Sequence, residues 1–162
     1  MPHEIDLQVA SDSGSLPDPQ DIERWIAAAI RDEREHAEVS IRIVDRDESQ
    51  TLNNRYRDKN NATNVLSFPS DLPEELKLPL LGDLAVCAPI VEDEAREQGK
   101  TLTAHWAHMM IHGTLHLLGY DHIDDEEATH MEALETQIML GLDFPAPYEE
   151  SSSTTPRSFS SP

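Results

Sequence analysis

His112-Gly113-Thr114-Leu115-His116-Leu117-Leu118-Gly119-Tyr120-Asp121-His122 sets three histidines in an H-x-x-x-H-x-x-G-x-x-H frame. On a helix, His112 and His116 stand four residues apart, so their imidazoles lie one above the other on a single face. Gly119 is free to take the left-handed conformation that closes a helix, which turns the chain back and returns His122 toward the first two rings. Three imidazoles around one point, with a fourth position left for water, are the donor set of a catalytic zinc site. Isolated helix or loop histidines are the plainer reading. The glycine and the third histidine in register favour one zinc ion held by His112, His116 and His122, although three imidazoles also accept other divalent transition metals.

The pattern extends upstream. His105, His108, His112 and His116 follow at steps of three, four and four, hence on one stripe of a helix expected from about Thr101 to Leu118. His108 is close enough to support a ligand or carry a proton, or else is a polar residue filling space; His105 is expected to reach the surface. Downstream, Asp121 either orients a ligating imidazole and shares in proton transfer, or only stabilises the turn after Gly119. A last helix is expected from Asp124 to Leu140. Asp124 and Glu127 suit a capping box, and Met131, Leu134, Ile138 and Leu142 form its apolar stripe, with His130 on the solvated side.

Before the histidine helix the chain alternates strands and helices. Ile5, Leu7 and Val9 alternate with polar residues as in a half-buried strand. Asp18-Pro19 opens a helix whose Ile22, Trp25, Ile26, Ala29 and Ile30 share a face, with its end expected near Arg34. Val39, Ile41 and Ile43 mark a second strand, and a weakly patterned helix follows from about Asp47 to Arg57. Val65 to Phe68 reads as a third strand stopped by Pro69. A surface loop is expected from Ser70 to Leu81, Gly82-Asp83 introduces a fourth strand from Leu84 to Ala88, and Pro89 opens a helix ending at Gln98 before Gly99. The acidic residues of that helix, Glu94 among them, read as a solvated face. The expected fold class is α+β: a small mixed sheet of about four strands covered by about five helices, with the three-histidine metal site at the end of a central helix.

At 162 residues the chain has one domain's worth of length. Residues 1–148 are expected to form it, and the Ser/Thr-rich stretch 149–162 is too poor in apolar surface to fold. No stretch approaches the roughly 20 apolar residues that span a bilayer. The N-terminus lacks the basic and apolar regions of a signal peptide, and the single Cys87 rules out an internal disulfide and reads as a small buried hydrophobe. A soluble, cytoplasmic protein is expected. With 12 Lys and Arg against 32 Asp and Glu the net charge is −20, which disfavours a broad nucleic-acid-binding surface but does not exclude a small cationic site.

One such site is present. Arg55, Arg57 and Lys59 place three of the 12 cations within five residues, just before the third strand. They suit a phosphate, or else simply favour a helix C-terminus. The histidine spacing itself first suggests a peptidase. In H-E-x-x-H enzymes, however, a glutamate general base follows the first histidine, and here that residue is Gly113.

Together, His112-Gly-x-Leu-His116-Leu-x-Gly119-Tyr120-Asp121-His122 and Asn53-x-x-Tyr56-Arg57-x-Lys59-x-x-x-Thr63-Asn64-Val65-Leu66-Ser67-Phe68 resemble the YbeY family of bacterial rRNA-maturation endoribonucleases. Gly82-Asp83 before a strand also fits, and the resemblance runs from about Ile5 to Phe144. It implies a single-domain, metal-dependent hydrolase of single-stranded RNA, acting on the 3′ end of small-subunit ribosomal RNA and in ribosome quality control. By position His112, His116 and His122 correspond to the zinc ligands and Arg57 to the family's functional arginine; His108 and Asp121 are further catalytic candidates. The resemblance also implies a small-subunit ribosomal protein and an Era-type GTPase as partners, whereas no membrane partner is expected. A zinc peptidase or amidase on the same frame, and a non-catalytic ribosome-assembly factor, are the rival readings. Attack by water or by the RNA 2′-hydroxyl is left open by the residues.

Overall fold

The computed structural model describes residues 3–31, 33, 36–70, 80–120 and 124–147. Strands β1 (Glu4–Ala10), β2 (Glu38–Val44), β3 (Val65–Pro69) and β4 (Leu80–Cys87) form one sheet in the order β1-β2-β4-β3. The first two pairings are parallel, and edge strand β3 runs antiparallel to β4. Helices α1 (Pro19–Ile30), α2 (Arg46–Arg57), α3 (Ala88–Gln98), α4 (Leu102–Leu117) and α5 (Asp125–Gly141) complete the described fold. The mixed sheet, the five helices and the central histidine helix agree with the α+β expectation.

Alternation explains which face of the sheet is covered. Val39, Ile41 and Ile43 of β2 are buried, and they stand level with Gly82, Leu84 and Val86 of β4. Intervening Arg42 is exposed and bonds Glu48 and Gln8. The inward face meets Ile22, Trp25, Ile26 and Ile30 of α1 and Met110, Ile111 and Leu115 of α4. Each such side chain contributes roughly 1.5–3 kcal/mol by leaving water. Helix α4 packs against α1, α3, α5, β3 and β4, so it is central, and only a narrow stripe of it can carry polar groups without cost.

Helix starts follow the expected chemistry. Asp18 accepts from Gln20 N at 2.9 Å, Thr101 from Ala104 N at 3.1 Å, and Asp124 from Glu127 N at 2.8 Å. Most boundaries fall within a residue or so of the sequence reading, and two differ by about four. Helix α1 stops at Ile30 because Arg31 leaves the helical region (φ 57°, ψ −133°), its side chain reaching Tyr120 Oη at 3.2 Å. Strand β4 begins at Leu80 rather than Leu84. The register slips between Glu38 and Val39, so Leu81 is an extra bulged residue, and Gly82 (φ 149°) lies inside the strand instead of before it. Residues 71–79, the rest of the expected loop, lie outside the described residues, as does 149–162.

Candidate active site

Helix α4 delivers His112 and His116 as neighbouring rings whose Nε2 atoms are 3.2 Å apart. Their other nitrogens have fixed roles. His112 Nδ1 is 2.5 Å from a carboxylate oxygen of Glu135, and His116 Nδ1 is 3.0 Å from the main-chain oxygen of Tyr120. An ionised carboxylate and a carbonyl only accept, so each Nδ1 carries the donated proton, a tautomer assigned from its partner. Both Nε2 lone pairs are then turned toward one another. That contact is repulsive by itself and becomes ligation when a cation lies between the rings. The spacing suits one: tetrahedral zinc with Zn–N bonds of about 2.0–2.1 Å separates its nitrogens by roughly 3.3 Å.

The turn that follows is built as the sequence suggested. Helix α4 closes with Gly119 N donating to His116 O at 3.0 Å and Tyr120 N to Leu115 O at 3.0 Å. Gly119 has φ 106°, open to glycine at no steric cost. The return directs Tyr120 O to His116, so the turn orients the imidazole that precedes it. Tyr120 is itself braced: its hydroxyl donates to Glu33 at 2.5 Å, and its ring stacks on exposed His130 at 5.6 Å between centroids. Asp121 and His122 lie outside the described residues.

Glu135 was not singled out by the sequence. It is fully buried on α5, and its two oxygens meet His108 Nε2 at 2.8 Å and His112 Nδ1 at 2.5 Å. Burial alone raises a carboxyl's pKa, but the hydrogen bonds from His108 and His112 outweigh it and hold Glu135 well below the usual carboxylate range. Burial is also the largest influence on His108; it lowers the imidazole's pKa against the opposing pull of Glu135. His108, His112 and Glu135 bring donor atoms within 4.8 Å of one another and form a candidate metal-binding group. The signal for Glu135 was present in α5: it lies four residues after Met131 and three before Ile138, on the helix's apolar stripe.

The upstream histidine corrects another expectation. His105 does not reach the surface; it is 2% exposed, and its Nε2 is 2.8 Å from Glu94 Oε1. Glu94, expected on a solvated face, is half-buried and also accepts from Asn64 Nδ2 at 3.2 Å. Burial pushes the Glu94 carboxyl up, but His105 and Asn64 together bring it below its ordinary value. Helix α3 packs its inner side on α4, which a surface-helix reading of its acidic residues missed.

Arg57 ends α2 on the exposed side and donates through Nη2 to Ser67 O of β3 at 2.8 Å. Ser67 Oγ in turn donates to Gly113 O of α4 at 3.2 Å. The arginine is thus tied to the edge strand that carries the histidine helix. Gly113 faces the sheet, where an added Cβ meets Leu84 Cδ2 at 2.8 Å and Val65 Cγ2 at 3.2 Å. The position that holds a glutamate base in zinc peptidases is here a buried glycine packed toward the side-chain ends of Leu84 and Val65.

The family described as Endoribonuclease YbeY matches residues 9–143. An Endoribonuclease YbeY of Cellvibrio japonicus is 56% identical over 151 residues, which span 93% of this chain and 85% of that protein. The solution structure of a Thermotoga maritima protein superposes with a TM-score of 0.56 at 25% identity, over 93% of this chain and 99% of the other.

Proposed function

The chain belongs to the YbeY endoribonuclease family, and on that premise we propose that it is a metal-dependent endonuclease cutting single-stranded RNA at the site built by His112, His116 and Arg57. Ribosomal RNA is the substrate, and the 3′ end of the small-subunit RNA is its place of action. The observation that carries this reading is the Nε2 pair of His112 and His116, 3.2 Å apart with both Nδ1 atoms committed to acceptors. Donors of this kind are arranged for a cation.

His112 and His116 would hold the ion through Nε2, joined by His122, which follows Gly119 by three residues. Zinc suits three imidazoles. A divalent ion held there supplies Lewis acidity toward a phosphodiester. Around it the chain's own groups divide the remaining work. Arg57 binds the phosphate and offsets the charge that develops on it, an electrostatic effect that dominates phosphoryl chemistry. Its hydrogen bond to Ser67 O restricts the guanidinium before substrate arrives. Glu135 fixes the ring of His112, Tyr120 O fixes that of His116, and His108 secures Glu135 from its other side. The bond lengths of 2.8 and 2.5 Å around Glu135 favour hydrogen bonding within that trio over a second ion inside it. Asp121 is assigned to orienting a ligand or passing a proton.

Gly113 supplies no carboxylate to serve as base and faces Leu84 and Val65 of the sheet, which speaks against the peptidase reading. At a net charge of −20 the protein attracts free RNA poorly. Delivery by a small-subunit ribosomal protein and an Era-type GTPase fits that weakness, and a cytoplasmic location goes with a ribosomal RNA substrate. No helix among the described residues is long and apolar enough to cross a membrane.

The test pairs two variants on a labelled single-stranded RNA, with a chelator control and a peptide library beside it. Arg57→Ala is expected to abolish cleavage while retaining bound metal, and His116→Ala to lose both. Full cleavage by either variant sinks the assignment. Cleavage of neither RNA nor peptide by the metal-loaded protein favours the assembly-factor reading.

A further inference from the structure

Beside Arg57 stands the most exposed large apolar side chain among the described residues, Tyr56, at 58%. Its ring is nevertheless held. Phe68 pairs with it in a T-shaped contact, with centroids 5.2 Å apart at 68°, and the Arg55 guanidinium lies over the ring, 5.9 Å from its centroid. Two chain neighbours on α2 are matched to two chain neighbours on β3: Arg57 bonds Ser67 O, and Tyr56 packs on Phe68. Successive side chains of a strand point to opposite faces. Ser67 reaches α4 while Phe68 turns to the other side of the edge strand, so the Arg57–Ser67 bond and the Tyr56–Phe68 pair lie side by side on β3.

We propose that Tyr56 is a stacking platform for one unpaired nucleobase of the RNA strand whose phosphate is held by Arg57. The proposal rests on the RNA-cleaving reading above. Single-stranded nucleic acid is gripped by cations that follow its backbone and by aromatic rings on which bases stack; Arg55-Tyr56-Arg57 supplies both within three residues. Stacking matters more here than in a basic protein. Away from this segment a chain of net charge −20 repels phosphate, so a contact independent of charge secures the strand where electrostatics gives little. Phe68 and Arg55 fix the ring beforehand, which lowers the entropy lost on binding.

The probe is a short fluorescein-labelled single-stranded RNA, together with the same strand carrying one abasic ribose moved position by position. Binding is read by anisotropy on the His116→Ala chain, and cleavage on the zinc-loaded native chain. Tyr56→Ala is expected to weaken binding of the intact strand on the order of tenfold, while Tyr56→Phe and Tyr56→Trp keep it. For one abasic position the effect of Tyr56→Ala is expected to vanish, because the base it stacks on is already gone. Equal binding by Tyr56→Ala, or the same loss on every abasic strand, overturns the proposal and leaves Tyr56 as a surface for a protein partner. RNA cleavage without this coupling refutes the stacking site alone. Coupling without cleavage by the native chain refutes the nuclease reading alone.

Discussion

Glu135 accepts a 2.5 Å hydrogen bond from His112 Nδ1, joining the last helix to the central one through a carboxylate with no solvent exposure. Its second oxygen takes His108 Nε2 at 2.8 Å, so the charge is shared between two donors rather than left unpaired. A carboxylate in this position fixes both the tautomer and the orientation of the ring it holds, and raises that ring's basicity toward a metal.

Removing that charge is expected to weaken the metal site without emptying it. Glu135→Gln keeps the volume but loses one acceptor oxygen, and its apparent zinc affinity should fall roughly 10- to 100-fold. Competition against a chromophoric chelator measures this directly. An affinity equal to that of the parent protein would show that His112 needs no such support.

Gly82 is expected to tolerate no side chain. Its φ of 149° and the 2.3 Å separation between an added Cβ and Phe68 O both act against alanine, and Leu117 Cδ2 at 2.9 Å closes the other side. Gly82→Ala should cost roughly 2 kcal/mol or more, or about 4–8 °C in Tm for a domain of this size. Gly141→Ala, where nothing lies within 4 Å, serves as the control and should melt no lower than the parent protein. A Gly82→Ala chain melting with the parent would contradict the bulged strand.

The Glu94–His105 contact should appear in the acid limb of stability. Glu94 is held below its ordinary value of 4.5, since burial is outweighed by the bonds from His105 and Asn64. A carboxyl depressed in the folded state contributes stability that is fully present above the unfolded pKa and is lost as pH falls through the folded one. Urea unfolding from pH 7 downward should therefore show a steeper loss below about 4.5 for the parent than for Glu94→Gln. Parallel curves would mean that the pair contributes nothing.

Much of the candidate site was legible because its parts are local. His112, His116 and Gly119 lie within one helix and its closing turn, where spacing alone decides which side chains meet. The cationic segment around Arg57 was equally visible as a cluster, in a chain where cations are scarce. Glu135 was not legible in the same way. On the apolar stripe of α5 a carboxylate looks like an interruption, and only its contact with α4, 23 residues away in sequence, gives it a purpose. His105 and Glu94 failed for a related reason: helix α3 carries acidic residues on more than one side, and sequence does not tell which side another helix will cover.

By itself, the sequence determined the strand and helix order, the paired imidazoles, the glycine turn behind them and the absence of a peptidase base after His112. These depend on helical and strand periodicity and on backbone freedom, which act over a few residues. Tertiary structure alone decided that Glu135 and Tyr120 O would fix the two rings, that Ser67 would link Arg57 to the histidine helix, and that Gly82 would sit inside a bulged strand. Each of those is a contact between elements distant in the chain, set by how the core packs rather than by any local preference.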